Sequence, residues 1–327
     1  MMQWTAKIHL SGLANPKIFY VLLATAIAIL SGCNVLRSQE ESFHSPVQPT
    51  NVRQVRMPSG AQKQLEPSGL LFFENQWLIV SDEKDVADIY RLKELDDQTL
   101  QAEPFILAST IPGFAVDDLE GITFCRGRFL VVEEGSSLVV EVEKNGKAIA
   151  RPLDLIPIHK ERNFAEPFGT RGAGLEGIAC DEAGGVLYVA HERMFRMIYA
   201  LDLTDFKALD FFDVPAGWDT PRYGGDIPVY PDYADLYFED GFLYALQRSD
   251  RTILKIDPVE KVLVSHLRLD FKESDYYDYK EPFGMADGFS LSKDRIHVVL
   301  DNNGVARMGD PQNTSPLLLE FDRPKGF

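Results

Sequence analysis

The chain of 327 residues carries 33 Lys and Arg against 50 Asp and Glu, for a net charge of −17. So acidic a balance excludes a nucleic-acid partner, whose phosphates demand the opposite sign. It suits cations, or solubility beside an anionic membrane.

Lys7 and Lys17 precede the apolar run FYVLLATAIAIL (19–30), which ends at Ser31-Gly32-Cys33. Basic residues, a short apolar core and a small-residue end form a signal-peptide pattern, too short for a membrane span. LSGC resembles the lipobox of bacterial lipoproteins, which implies cleavage after residue 32 and acylation of Cys33. Acyl chains would hold the protein at a membrane without letting it span. Residue 34 is Asn rather than Asp, which under the enterobacterial sorting rule favours the outer membrane, facing the periplasm. Removing Lys7 and Lys17 with the leader takes the net charge from −17 to −19. Residues 33–50 then read as the lipidated cysteine and a flexible polar tether, leaving a single domain over 51–327.

Short strand-like runs separated by turn residues follow one another through that domain, with scarcely any amphipathic helix. The class is all-β. Five segments align on one position: SGLLFFENQWLIVSDE (68–83), EGITFCRGRFLVVEE (120–134), EGIACDEAGGVLYVAHE (176–192), ADLYFEDGFLYALQR (234–248) and DGFSLSKDRIHVVLD (287–301). Each reads as a hairpin followed by one or two further strands. The anchors Gly69, Gly121, Gly177, Asp235 and Gly288 are 52, 56, 58 and 53 residues apart. Four-strand repeats of that length predict a β-propeller, five blades being favoured and six a second solution. The fifth repeat lacks an outer strand, and NVRQVRMP (51–58) is predicted to supply it beside PLLLEF (316–321), closing the ring without a free edge. The anchor glycines are expected to serve the turn into the channel strand.

In such a blade the start of strand one and the end of strand two lie at the same mouth. Ser68, Glu120, Glu176, Ala234 and Asp287 precede the anchors, and Asp82, Glu134, Glu192, Arg248 and Asp301 end the second strands. Glu133, His191, Asn302 and Asn303 stand beside them. Carboxylates crowded together repel, and proteins relieve this by raised pKa values or a bound cation. Hard oxygens offered from several strands suit Ca2+, and with six histidines and no HxH or HExxH the pattern does not suit zinc or copper. Glu120, Glu176, Asp287, Glu134, Glu192, Asp301 and Asp82 are therefore the candidate metal ligands. Arg248 either neutralises a neighbouring acid or, with His191 and Asn302, binds an anion. The plainer alternative is that these acids only accept hydrogen bonds from turn amides.

Three long connections, 156–174, 215–234 and 272–286, should reach the same mouth, bringing Lys160, Arg162, Arg171, Arg222, Lys280 and two copies of EPFG (166–169 and 281–284). Cys125 and Cys180 lie in neighbouring repeats at anchor offsets that differ by one residue. Alternate strand residues face opposite ways, which predicts buried free thiols rather than a disulfide.

LEGI at 119–122 and 175–178, each leading to a strand that ends in acid (VVEE, VAHE), and DGFSLSKDRIHVVLDNNG (287–304) leading to LLLEF resemble the bacterial phytase-like proteins, described by esterase-like activity of phytase. The resemblance covers about 68–322 and implies a β-propeller. It also implies calcium ions in an acidic channel that hold phosphate and activate water. Glu120, Glu176, Asp287, Glu134, Glu192 and Asp301 would be the ligands, with Arg248 on an anion. The chain departs from phytases in having few lysines near the mouth, which argues against inositol hexakisphosphate as substrate. No GxSxG elbow surrounds Ser68, which argues against a serine esterase. Two readings stay open: a calcium-dependent hydrolase of phosphoesters or other esters, and a non-catalytic envelope propeller that binds a small molecule or a protein.

Overall fold

The computed structural model describes residues 44–57, 64–83, 88–107, 118–135, 137–153, 155, 174–192, 196–215, 222–224, 227–229, 231–279 and 284–327. The leader and Cys33 lie outside this range. So do Lys160, Arg162, Arg171, Lys280, the side chain of Arg222 and both EPFG segments except Gly284.

In chain order the strands are β1 (His44–Val47), β2 (Pro49–Arg56), β3 (Pro67–Phe73), β4 (Gln76–Ser81), β5 (Asp88–Asp96), β6 (Thr99–Leu107), β7 (Leu119–Cys125), β8 (Arg128–Glu133), β9 (Leu138–Glu143), β10 (Ala148–Pro152), β11 (Leu175–Asp181), β12 (Val186–His191), β13 (Met197–Asp202), β14 (Ala208–Phe212), β15 (Arg222–Gly224), β16 (Ile227–Val229), β17 (Asp235–Glu239), β18 (Phe242–Gln247), β19 (Thr252–Asp257), β20 (Val262–Leu269), β21 (Ala286–Leu291), β22 (Arg295–Leu300) and β23 (Leu317–Asp322). One 3-10 turn, Glu273–Asp275, is the helical element among the described residues. The chain is all-β. Pairing begins at His44, seven residues before the expected boundary at residue 51, so part of the expected tether is strand.

Antiparallel meanders β3–β6, β7–β10, β11–β14 and β17–β20 follow one another, and β21–β23 make a last one. Middle strands such as β8 (RFLVVE) and β9 (LVVEVE) are buried on both faces, whereas the outermost β10 and β14 are half-buried to exposed, apart from the buried Phe212. That gradient arises when sheets stack face to face and only the outer strand meets water. Tight turns join first and second strands: Glu74-Asn75, Arg126-Gly127 and Asp240-Gly241 all have positive φ, as a twisted two-residue hairpin requires.

Apolar clusters fill the space between consecutive sheets. Leu78 and Val80 meet Ile122 and Val131; Leu130 and Val132 meet Ile178 and Val189; Ala190 and Tyr188 meet Leu236 and Ala245; Leu246 and Ile253 meet Phe289 and Val298; and Val299 and Leu318 meet Leu70 and Ile79. At the inner side β3 packs on β7, β7 on β11, β11 on β17, β17 on β21 and β21 on β3. Radially stacked meanders with their first strands innermost are the architecture of a β-propeller. Strand β2 pairs antiparallel with β23 (Val52 opposite Leu319) and parallel with β6 (Val55 opposite Leu100), joining the last sheet to the first.

Two expectations are corrected. The anchor glycines do not serve a turn. A Cβ at Gly69 would stand 2.2 Å from the Glu120 carbonyl, one at Gly121 2.6 Å from that of Glu176, one at Gly177 2.5 Å from the Leu236 nitrogen and one at Gly288 2.7 Å from that of Leu70. Glycine is required because neighbouring inner strands meet backbone to backbone. Cys125 and Cys180, expected as free thiols, form a disulfide with Cα atoms 6.1 Å apart. The one-residue offset does place the two side chains on opposite faces of their own sheets. In a face-to-face stack it is opposite faces that meet, so the offset brings the sulfurs together.

Candidate functional site

The hairpin hydrogen bonds extend one step past each blade's first two strands. The amide of Asp82 donates to the Glu66 carbonyl (3.2 Å), Glu134 to Asp118 (3.0 Å), Glu192 to Gly174 (3.0 Å) and Asp301 to Met285 (2.8 Å). Each bond sets a second-strand end beside the residues just before an anchor. Glu120, Glu176, Glu192, Asp287 and Asp301 are all buried there. Alternation decides the rest, since the residue two before Glu120 sits on the same side of the strand.

One group of acids lies at the mouth of the second blade. Asp118, Glu120 and Glu134 each offer a carboxylate oxygen within 4.8 Å of the others. Burial raises the Glu120 pKa well above the carboxylate range, and the charges of Glu176, Asp82, Glu134 and Asp118 push it further in the same direction. Asp82 is pushed up to about 8, first by burial and then by Asp287, Glu66, Asp118 and Glu176. Asp301 is raised for the same reasons, with Asp287 and Asp82 as its neighbours. These mutual effects put Asp82, Glu120, Glu134, Glu176, Asp287 and Asp301 in one electrostatic cluster. The donor set is all carboxylate oxygen from several strands, which fits a hard cation with loose geometry such as Ca2+.

Arg248, at the end of β18, makes a second group. Its guanidinium binds Glu192 and Asp287 and reaches Asp232 at 3.2 Å. Burial works against its charge, but Asp287, Glu176 and Glu120 hold its pKa above the ordinary arginine value. Gly284, the described residue of the second EPFG, braces it: a Cβ there would stand 2.8 Å from the Arg248 carbonyl, at a φ of 89° that glycine tolerates. Tyr279 donates its hydroxyl to the Gly284 carbonyl at 3.0 Å.

The other expected site residues fall in different places. His191 and Glu133 are buried at their strand ends. Asn303 donates to Asp301 from its backbone (2.9 Å) and from its side chain. Asn302 is fully buried and spends its amide hydrogens on the Val305 and Thr314 carbonyls, both at 2.8 Å, tying down the segment that leads to β23. Ser68 donates its hydroxyl to the Leu119 carbonyl, a link between β3 and β7.

Three carboxylates of the site escaped the sequence reading: Asp118, Asp232 and Asp235. Asp118 and Asp232 occupy the position three before the anchor, where Glu66 also stands, so the alternation along the strand carries the signal. Asp235 fills the one anchor that is not glycine. It is fully buried, its pKa is raised well above the carboxylate range by that burial, and it accepts the Leu236 and Phe289 amides.

These observations define a β-propeller with a buried acidic cluster at one end of its inner strands. Residues 36–197 match the model of the Phytase-like family, described as esterase-like activity of phytase. No curated protein matches the chain in sequence. Among solved structures, the chain is similar to a glutaminyl cyclase of Myxococcus xanthus at 14% identity and a TM-score of 0.48, covering 85% of this chain and 97% of that one. It is also similar to an aldose sugar dehydrogenase of Streptomyces coelicolor, in a PQQ-bound form, at 13% identity and a TM-score of 0.44, covering 83% and 98%. A gluconolactonase of Xanthomonas campestris follows at 12% and 0.43, covering 76% and 69%.

Proposed function

We propose that the protein is a lipid-anchored envelope propeller of five closed blades that binds Ca2+ at its acidic mouth. Five apolar clusters between five meanders, and β2 lying between β23 and β6, support the blade count and the closure. The observation that carries the metal reading is the convergence of Asp118, Glu120 and Glu134 oxygens within 4.8 Å in a place where burial alone already disfavours the charge of Glu120. A divalent cation there would offset both the repulsion and the desolvation. Glu120 and Glu134, with Asp118, would hold it. Glu176, Asp82, Asp287 and Asp301 lie close enough to contribute to the field. Arg248 serves Glu192, Asp232 and Asp287 as their resident cation. The signal-peptide pattern and LSGC support acylation of Cys33 and an envelope location.

A hydrolytic reading is favoured by one further observation. Asp82 stands beside the cluster with its pKa pushed up to about 8 in the metal-free protein, and a cation bound there would draw it down, leaving a carboxylate that can take a proton at neutrality. A bound Ca2+ would polarise a phosphoryl or acyl oxygen and stabilise the charge that develops on it. Asp82 would then act as general base, taking a proton from the attacking water.

Melting of the purified protein with and without calcium tests the proposal. The parent should gain stability and Glu120→Gln should gain much less; no shift in either abolishes the metal site and the hydrolase together. Turnover on a panel of phosphate and carboxylate esters, lost in Asp82→Asn, separates enzyme from binder.

A further inference from the structure

The opposite end of the second blade carries a cavity of about 200 Å³ with the contrary charge. Arg126 closes the β7–β8 hairpin, Arg128 opens β8 and Arg151 lies near the end of β10. Facing them are Leu203 and Phe206, from the turn between β13 and β14 of the next sheet, and the Cys125–Cys180 disulfide ties the two walls together. Six residues along β7 separate Glu120 from Arg126, or about 20 Å of extended chain, so this place is distinct from the acidic cluster.

Three guanidiniums around one carboxylate are unusual in a chain of net charge −17. Glu141 is the single acid in the lining and is buried. It sits opposite Leu130 and Ile149, so its neighbours two residues along each flanking strand are Arg128 and Arg151. Arg128 binds it through Nη1, and Arg151 through Nε at 2.6 Å. Each of these side chains uses one nitrogen on Glu141 and keeps the remaining N–H groups of its fork. The Arg126 guanidinium has no hydrogen bond or ion pair among the described residues; only its backbone amide is engaged, by Glu182 at 3.1 Å. Arg128 and Arg151 remain about half accessible, at 44% and 52% of their side-chain surface. Glu141 thus fixes one fork on either side of it, and Arg126, its guanidinium unpaired among the described residues, stands beside an apolar wall.

We propose that this cavity is a binding site for a small oxyanion bearing an apolar group. A planar or tetrahedral oxyanion accepts paired N–H donors from arginine forks, and Leu203 with Phe206 covers an apolar substituent. The cavity has room for a single ring or short chain, not for a sugar phosphate polymer. Two sources share this chemistry, a carboxylate and a phosphate-type anion.

Calorimetric titration of the full-length protein in chelator-containing buffer, with the acidic site free of calcium, tests this. The probes are benzoate, phenylphosphonate and the neutral benzyl alcohol. Saturable binding of benzoate identifies a carboxylate site, and of phenylphosphonate a phosphate-type site, with benzyl alcohol inert in both cases. Arg126→Gln breaks no ion pair and should melt with the parent, yet weaken the anion by about tenfold, as loss of a charged hydrogen bond does. The control Lys93→Gln, in a surface pair with Glu103 of the first sheet, should bind as the parent does. Absence of saturable binding for both anions, or undiminished affinity in Arg126→Gln, overturns the proposal.

Discussion

The Phe289 amide donates to Asp235 Oδ2 at 2.9 Å, across two inner strands that belong to different sheets. At the other four anchors a glycine lets the neighbouring backbone touch directly. Between β17 and β21 a carboxylate takes the place of that contact, binding its own strand at Leu236 (2.8 Å) as well as the next. Asp235→Asn keeps the size and loses one acceptor, so a buried amide loses its partner. The expected loss is about 1–3 kcal/mol in urea unfolding.

Calcium-free stability should depend on pH in a definite direction. Asp82, Glu120, Asp235 and Asp301 all have folded-state pKa values above their unfolded ones, that of Asp82 at about 8. The folded protein therefore keeps protons that the unfolded chain releases above about pH 4. Their favourable contribution is complete below that pH and is lost as pH rises through the folded values. Melting temperature should fall between about pH 5 and pH 8 in chelator, and millimolar calcium should reverse the fall most strongly at the alkaline end, since the cation displaces protons. A melting temperature that rises over this range would contradict the assignment.

Arg248→Met removes the guanidinium that Glu192, Asp232 and Asp287 share while keeping much of the volume. Breaking a buried pair leaves uncompensated charge, at a cost of about 3–5 kcal/mol. Denaturant midpoints measured at about pH 5 and pH 8 should diverge more in the variant than in the parent, because the stranded acids can take up protons only at the lower pH.

The Cys125–Cys180 bridge spans a sequence separation of 55 residues. Loop closure over that length constrains the unfolded chain by about 4 kcal/mol. The double variant Cys125→Ser/Cys180→Ser should lose about this much, and thiol titration of the denatured parent should find neither sulfur free.

Much of the architecture was legible because its signals are local. Anchor spacing, alternating apolar residues and turn pairs such as Arg126-Gly127 each report on one hairpin. Relations between sheets were harder to read. The role of Gly121 depends on the Glu176 carbonyl of the next blade, and the pairing of Cys125 with Cys180 depends on which faces stack, neither of which a single strand's periodicity contains. The acidic mouth was read from the residue before each anchor and the end of each second strand, so Asp118 and Asp232, two residues further upstream, escaped although they share the same side. Asp235 aligns with four glycines as an anchor, and that alignment says nothing of its carboxylate. Its carboxylate has a use only when two strands are seen side by side.

Strand β2 lies between β23 and β6. A chain made from its N-terminus extrudes this segment first and its partner Leu317–Asp322 last. Until residues 317–322 are made, β2 can rest only on the first sheet, through three residue pairs with β6 and the contacts of Arg53 with Glu94 and Trp77. The slow step of assembly should therefore be the meeting of the two ends, a contact of high sequence separation whose loop entropy is met late. Nascent chains stalled short of residue 317 would remain sensitive to proteases near Asn51, and full-length chains would not.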